Sequence, residues 1–236
     1  MKDGIETRTS LLIGSEGVER LKGSFVVIAG AGAVGGYVLE GLVRVGIGHI
    51  RMVDSDMFSE SNLNRQILAT MDAVGRKKVE VAAERARSIN PDIMIETMDS
   101  MVSKDTVPDI LSGNPDVLAD AIDTVEHKVS LLRYAAENKI RTFSSMGAAL
   151  HFETSSIKVA TLKDTNTCPL AASVRSRLKD LDTRCITCVY SQEPVSVKPS
   201  ERDNHGKSVL GSLPTVPAVF GMTMANEIIR YLLSKE

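Results

Sequence analysis

Apolar runs and amphipathic stretches alternate along residues 24–147 of this chain. Short runs rich in Val, Ile and Phe are typical of strands buried on both faces, and the stretches between them carry apolar residues at helical spacing. The predicted strands are residues 24–29, 50–53, 93–97, 116–119 and 140–145. One helix is predicted to start after Gly35, and others over residues 75–89, 104–111 and 124–138. This alternation predicts a doubly wound, Rossmann-like α/β fold with a mostly parallel sheet.

The periodicity changes after Gly147. We expect a strand over residues 156–162, a helix over 169–178, a strand over 186–190 and a closing helix over 213–233. Residues 194–212 are rich in Ser, Pro, Lys, Asp and Asn, so a mobile loop is predicted there. We interpret the chain as a single domain over residues 1–236. We expect residues 1–147 to form its doubly wound part, and residues 148–236 to form an appended part of mixed strands and helices that contacts a substrate or a second subunit.

An additional helix is predicted at the N-terminus, over residues 7–22. Leu11, Leu12, Val18 and Leu21 share one side of it, so we expect it to lie against the core. Arg8 stands at its start. From composition alone, a single arginine at this place is a solvated surface charge.

Composition and charge narrow the class of protein. With 236 residues and 43% hydrophobic content the chain can bury a sizeable core, and a net charge of −2 excludes a globally basic nucleic-acid binder but not a local basic face. The first residues contain no apolar signal segment, and prolines and charges interrupt the last apolar stretch, so neither export nor a membrane span is expected. Three cysteines then indicate free thiols in a reducing compartment, the cytoplasm.

The candidate binding site starts with Gly30, Gly32 and Gly35, which form a GxGxxG pattern between the first strand and its helix. N–H groups at the start of a helix can hold phosphate, and glycines let the ligand approach the backbone. Asp54 ends the second strand about 20 residues further on, where a carboxylate would bind a ribose hydroxyl. Tight packing of strand against helix without any ligand is the alternative explanation of these glycines.

Charged and polar residues gather around this pattern. Residues 61–66, SNLNRQ, are too polar for a strand and are placed to line a nucleotide. Arg65, Lys78 and Arg8 offer more positive charge than a dinucleotide bridge needs, and about what a triphosphate under attack needs. Asp123 follows a strand and could hold Mg²⁺ through one carboxylate, although Asp there is also a favoured helix cap.

Several motifs in one order carry a family resemblance: GAGAVGGYVLEGLVRVGIGHIRMVDSD, SNLNRQ, GRKKVE, RSINPD and DVLADAID. They resemble the ThiF/MoeB/HesA-type superfamily of ATP-dependent adenylyltransferases, which are relatives of ubiquitin-activating enzymes. The resemblance implies ATP and Mg²⁺ as ligands and a homodimer in which Arg8 enters the neighbouring subunit's site. It also implies catalytic roles for Arg8, Arg65, Lys78 and Asp123, with Asp123 on the metal. The implied nucleotide contacts are Gly30, Gly32, Gly35, Asp54, Asn62, Arg65, Gln66 and Lys78.

The second half points to one branch of that superfamily. Its segments CPLAASVRSRLKD, CITCVYSQEP and GSLPTVPAVFGMTMANEIIRYLL resemble the tRNA threonylcarbamoyladenosine dehydratases, with Cys168 where that pattern has Asp. The resemblance implies ATP-driven cyclisation of threonylcarbamoyladenosine next to the anticodon through an acyl-adenylate. Activation of the C-terminal Gly-Gly of a ubiquitin-like sulfur carrier is the alternative. Zinc-binding sulfur-carrier enzymes commonly use two CxxC pairs, whereas this chain has only Cys185 and Cys188 in such spacing.

Partners follow from the same interpretation. With tRNA as substrate, Arg175 and Arg177 on the predicted helix are candidate phosphate contacts, although an ordinary solvated helix explains them equally. A cysteine desulfurase or a sulfur acceptor is a further candidate partner. The CxxC pair is either a redox or sulfur-handling site or a half-buried structural pair. An NAD-dependent oxidoreductase and a non-catalytic scaffold are disfavoured, because SNLNRQ and the cation cluster are retained.

Overall fold

The computed structural model describes residues 4–195, 202 and 209–235. Its strands are β1 Phe25–Ala29, β2 His49–Val53, β3 Met94–Met98, β4 Val117–Asp120, β5 Thr142–Ser145, β6 Ile157–Thr161 and β7 Ile186–Ser191. They form one sheet in the order β3-β2-β1-β4-β5-β7-β6. All pairs are parallel except β6 with β7. The doubly wound, mostly parallel sheet predicted from the sequence is therefore confirmed.

Helices cover both faces of this sheet. They are α1 Thr7–Lys22, α2 Gly35–Val45, α3 Lys78–Ile89, α4 Val107–Ile110, α5 Val125–Glu137, α6 Pro169–Arg177 and α7 Thr215–Ser234. Short 3₁₀ turns stand at Glu60–Asn62, Met71–Ala73, Thr154–Ser156 and Leu162–Asp164. The predicted elements are present within a few residues of their expected ends, and the strands of the appended part extend the same sheet beyond β5. No helix of the described residues is long and apolar enough to cross a membrane.

Strand β1 explains how the two layers are built. All five of its residues are buried, as its continuous apolar run predicts. Val26 and Ile28 pack in the cluster that α2, α3 and α7 cover, whereas Val27 and Ala29 pack in the cluster of α4 and α5. Successive side chains of a strand point to opposite faces, so one apolar strand serves both layers.

The N-terminal helix departs from its prediction. Gly14 has φ 76° and ψ 169°, which kinks α1 and divides it into two parts. Val18 and Leu21, beyond the kink, are buried, but Leu11 and Leu12 before it are 74% and 86% exposed. The expected apolar stripe is therefore wrong for Leu11 and Leu12, because a straight helix is needed to bring all four side chains to one side.

The register of the central strands brings their carboxyl ends together. Ala29 lies beside Val53 and Asp120, and Asp120 lies beside Ser144. The loops that follow these residues therefore start from one edge of the sheet, which is where ligands of open α/β sheets bind. Most of the loop predicted as mobile, residues 194–212, lies outside the described residues.

Candidate nucleotide-binding site

Two of the three fingerprint glycines are required by packing. Gly30 has φ 97°, and a Cβ there would lie 2.9 Å from the carbonyl oxygen of Ala121. A Cβ on Gly35 would lie 1.7 Å from the carbonyl oxygen of Gly30, a distance that no side chain can adopt. The first strand and α2 therefore meet too closely for any other residue at these positions. This much of the pattern fits the alternative explanation without a ligand.

Gly32 is different. The nearest atom to a Cβ built on it is the Gln66 Nε2 at 4.0 Å, and its backbone is outside the left-handed region. No neighbour in the described chain explains a glycine here, whereas close approach of a ligand to the backbone would. Gln66 is also buried, and its Oε1 has no hydrogen-bond partner in the described chain. Because buried polar atoms are nearly always satisfied, this atom indicates an additional partner at the site.

Asp54 is fixed beside the glycines by backbone groups. Its Oδ2 accepts a hydrogen bond from the Ala31 N–H at 2.7 Å, and its Oδ1 accepts one from the Asp56 N–H at 2.8 Å. Its carboxylate is half-buried. A carboxylate oxygen can accept more than one bond, so Asp54 remains able to accept from a ribose hydroxyl.

Lys78 is a buried cation that pairs with Asp56, two residues after Asp54. Its side chain is only 8% exposed, and Nζ lies 3.0 Å from Asp56 Oδ2. Asp56 itself is 69% exposed, so the pair joins a buried ammonium to a solvated carboxylate. Sequence reasoning missed Asp56, because a second acidic residue in a loop carries no signal of its own.

The SNLNRQ segment forms a tight turn. Asn62 Oδ1 accepts a hydrogen bond from the Ser59 N–H at 3.1 Å, so the Asn62 side chain caps its own 3₁₀ turn. Arg65 Nη1 donates to the carbonyl oxygen of Ser61 and to Asn64 Oδ1, at 2.8 and 2.7 Å. In the described part of the chain Arg65 pairs with no carboxylate, and its positive charge is therefore available to an anion.

Asp123 follows β4 and precedes α5. Its side chain is exposed, and its Oδ1 accepts a hydrogen bond from Thr124 Oγ1 at 3.1 Å. Thr124, not Asp123, occupies the cap position of α5. Over the described residues, no group of three or more His, Cys, Asp or Glu side chains could hold a metal ion. An exposed carboxylate such as that of Asp123 could supply one oxygen ligand to Mg²⁺, and phosphates and water would have to supply the others.

The described end of the long loop reaches this edge. Asn64 Nδ2 donates to the carbonyl oxygen of Ser212 at 3.0 Å, and the Leu150 N–H donates to that of Gly211 at 2.9 Å. Residues 211 and 212 therefore connect the SNLNRQ turn to the segment after β5.

The remaining predicted residues lie apart from this group. Arg8 is exposed on the first half of α1, and its side chain makes no hydrogen bond or ion pair within the described chain. Arg175 Nη1 donates to the carbonyl oxygen and the hydroxyl of Thr165, at 2.9 and 2.7 Å. Arg177 is exposed, and its Nη1 lies 3.2 Å from Glu126 Oε1. Arg175 and Arg177 are two residues apart on α6, so their side chains point in different directions, and their role as phosphate contacts stays a prediction.

The cysteines have the character of structural residues. Cys168 and Cys188 are buried in the cluster of α5, α6 and β7. Burial raises the pKa of the Cys188 thiol to about 12, and it also raises the pKa of the half-buried Cys185. A nucleophilic thiol needs a lowered pKa, so the geometry favours the structural interpretation of the CxxC pair.

Comparisons with known proteins agree with this geometry. A profile of the ThiF family matches residues 7–236. The tRNA threonylcarbamoyladenosine dehydratase of Bacillus subtilis (strain 168) is 32% identical over 238 residues, which cover 96% of this chain and 94% of that protein. The crystal structure of the Escherichia coli tRNA N6-threonylcarbamoyladenosine dehydratase in complex with ATP superposes with a TM-score of 0.88 at 33% identity, covering 96% of this chain and 93% of that one.

A sulfur carrier protein adenylyltransferase of Thermus thermophilus is 39% identical, but over 111 residues that cover 47% of this chain. The family profile, in contrast, spans both the glycine-rich edge and the appended part. The resemblance inferred from the sequence motifs is thereby confirmed, and the chain belongs to the ThiF family.

Proposed function

We propose that this protein catalyses the ATP-dependent dehydration of threonylcarbamoyladenosine in tRNA, next to the anticodon. The observation that carries the proposal lies at the carboxyl edge of the sheet. Apart from its chain neighbours, no atom of the described chain comes closer than 4.0 Å to a Cβ built on Gly32, and the same edge carries two cations, the buried Lys78 and Arg65. This arrangement suits a polyphosphate. Similarity along nearly the whole chain to dehydratases supports the choice of substrate, because the appended part is matched as well as the nucleotide-binding part.

The proposed reaction has two steps. A carboxylate oxygen of the threonylcarbamoyl group attacks the α-phosphorus of ATP, and the bond to the leaving pyrophosphate breaks. A nucleophilic atom of the same side chain then attacks the activated carbonyl, loses its proton and expels AMP. The nucleoside loses one water in total. Because ring closure is intramolecular, proximity supplies much of the second step and no enzyme nucleophile is needed.

In this reaction the chain's own residues bind and neutralise charge. Gly30, Gly32 and Gly35 would hold the phosphates at the start of α2. Arg65 and Lys78 would oppose the negative charge that develops during attack. Further contacts follow from the family motifs, with the ribose on Asp54 and the nucleotide on Asn62 and Gln66. When Mg²⁺ is bound it acts as a Lewis acid on the phosphates, and Asp123 would hold it.

The tRNA contacts belong to the proposal as well. Arg177, with its exposed side chain, is the stronger candidate, while Arg175 holds Thr165 and would contact phosphate only by giving up that bond. We therefore expect Arg177→Glu to raise the apparent KM for tRNA and to leave that for ATP unchanged. Arg175→Glu is expected to lower Tm as well. The reducing cytoplasm is the compartment where this reaction would occur.

A homodimer completes the proposed site. Arg8, Leu11 and Leu12 stand together on the part of α1 before the kink, where both leucines are exposed. Neighbouring apolar side chains of this size indicate an interaction surface. We propose that a second copy covers them and receives Arg8. Mixing inactive Arg8→Ala and inactive Lys78→Ala proteins should then restore part of the activity, and no recovery after proven subunit exchange would exclude a shared site.

The deciding experiment incubates the protein with ATP and tRNA that carries threonylcarbamoyladenosine. We expect AMP, pyrophosphate and a nucleoside lighter by one water, detected by mass spectrometry. Lys78→Met should abolish the product, and Lys77→Met is its matched control. Lys77 is the adjacent lysine; it is half-buried, and its Nζ lies 2.8 Å from Asp99 Oδ2. Pyrophosphate release stimulated by a Gly-Gly-tailed carrier, with tRNA inert, would instead assign the chain to the sulfur-carrier adenylyltransferases.

A further inference from the structure

We propose that the buried pair of Lys128 and Asp120 is a clamp that positions the loop of residues 121–124 against the glycine turn. Neither residue would touch the nucleotide, so both are positioning residues. The inference deepens the proposed function and rests on it for its consequence, which is that the clamp sets nucleotide affinity. The geometry of the clamp itself does not depend on which substrate is adenylated.

The pair is isolated from solvent. Lys128 and Asp120 have no exposed side-chain surface, and Lys128 Nζ lies 2.5 Å from Asp120 Oδ2. The same ammonium donates to the carbonyl oxygen of Ser145 at 2.9 Å and to Ser144 Oγ at 3.3 Å. An ammonium has three N–H donors, and three acceptors surround this one. Lys128 therefore connects α5 to the carboxyl ends of β4 and β5.

Both carboxylate oxygens of Asp120 also have hydrogen-bond partners. Its Oδ2 accepts from Ser144 Oγ at 2.6 Å as well as from Lys128, and its Oδ1 accepts from the Ile122 N–H at 3.1 Å. This last bond reaches into the loop. The Asp120 carboxylate thus links the buried ammonium of Lys128 to the backbone N–H of Ile122, the residue before Asp123.

The bond between Asp120 and Lys128 closes a ring with the chain segment that connects β4 to α5. Asp120 is the last residue of β4, and Lys128 lies one turn inside α5, so their bond spans the whole connection that contains Asp123. The other side of the loop is held by β1, because the Ala121 N–H donates to the carbonyl oxygen of Ala29 at 2.8 Å. The Ala121 carbonyl oxygen in turn packs against Gly30. Displacement of the loop would therefore disturb the glycine turn directly.

Directional bonds explain why this position carries charges. A well-packed apolar pair of similar volume is often as stable as a buried ion pair, so stability alone does not require Lys128 and Asp120. An apolar pair cannot, however, orient the Ile122 N–H or tie it to the end of β5. The hydrogen-bond network fixes the orientation of the loop backbone, which apolar packing does only weakly.

The test variant is Asp120→Asn/Lys128→Met, which leaves no buried charge and keeps an oxygen for the Ile122 N–H. Hydrogen exchange of the Ala121 and Ile122 amides in the ligand-free protein measures the clamp. ATP affinity, measured by calorimetry with Mg²⁺ present, reports its consequence. We expect exchange of both amides to be about tenfold faster and the Kd for ATP to rise about tenfold, while Tm changes by only a few degrees.

The control is Glu40→Gln/Arg85→Met, which removes another ion pair with a buried carboxylate, in the middle of α2. It should lower Tm and leave both loop amides unchanged. Unchanged exchange in the test variant would overturn the clamp, and so would equal acceleration in the control. If the test variant does not fold, Ser144→Ala removes one bond to Asp120 and should accelerate the loop amides about threefold. Failure of the wild-type protein to bind ATP would refute the proposed function, and the exchange data would still decide the clamp.

Discussion

Replacement of Gly32 by Ala tests whether this glycine is needed for ligand binding or for packing. The nearest neighbour of the new Cβ would be Gln66 Nε2 at 4.0 Å, which is ordinary contact. We expect unchanged stability, or a gain of about 0.4–1 kcal/mol, because Ala restricts the unfolded chain more than Gly. The methyl group would instead occupy space that a phosphate needs. Loss of one N–H bond to a charged oxygen costs about 1.5–3 kcal/mol, so ATP affinity should fall about 10- to 100-fold.

Calorimetric titration with ATP and thermal unfolding without ligand measure the two halves of this prediction. Gly30→Ala is the comparison variant, since it combines a contact of 2.9 Å with a left-handed backbone at φ 97°. That change should destabilise the protein by at least about 1–2 kcal/mol. Gly32→Ala should therefore keep Tm and lose affinity, whereas Gly30→Ala should lower Tm.

Two results would refute the reasoning. ATP affinity equal to that of wild type in Gly32→Ala would show that no phosphate approaches this residue. A large drop in Tm for the same variant would show that Gly32 is a packing residue after all, and the pattern would then fit tight strand–helix packing without a ligand.

Further predictions concern charges and thiols. Burial raises the pKa of the Glu40 carboxyl, but hydrogen bonds from Arg85 and Arg44 outweigh burial and bring the pKa below its ordinary 4.5. Glu40 thus stabilises the fold above pH 4.5, and Glu40→Gln should cost about 1–3 kcal/mol at pH 7 in urea unfolding, with the difference lost as pH falls from 4.5 through the lower pKa that this carboxyl has in the folded protein. Iodoacetamide at pH 8 should modify Cys185 well before Cys188, because a pKa of about 12 leaves about one thiolate in 10⁴; equal rates in tandem mass spectrometry would support a reactive pair. Asp56→Asn should change the Kd for ATP less than about threefold, far less than Lys78→Met, since the Asp56 carboxylate is 69% exposed and returns to water at little cost.

The fold could be predicted because its signals are local. Five apolar runs separated by amphipathic stretches leave few topologies once right-handed crossovers are required. The kink at Gly14 could not be predicted in this way, because a single glycine inside an apolar pattern is compatible with a continuous helix. The exposure of Leu11 and Leu12 follows from that kink and was therefore missed too.

The site was predicted where motifs place residues in sequence, and missed where contacts are made in space. Gly30, Gly35 and Asp54 lie together at the sheet edge because the turn after a strand determines their positions. Lys128 and Ser144 gave no signal, since a lysine within a helix pattern is normally on the solvated face. Only the pairing of β4 with β5 brings Ser144 beside Asp120 and makes a buried lysine tolerable.

If Lys78 contacts the phosphates as proposed, its pairing with Asp56 suits repeated binding and release of the nucleotide. Lys78 is already desolvated by the fold, at 8% side-chain exposure, so an incoming phosphate does not have to remove its water. Asp56 is largely exposed and can return to water at little cost when it is displaced. Replacing the Asp56 carboxylate by a phosphate at the Lys78 ammonium would then change the free energy little. Affinity for the nucleotide would have to come from the surrounding N–H groups and from Arg65. In the proposed reaction, a site of this kind would bind the nucleotide without holding it so tightly that AMP could not leave after ring closure.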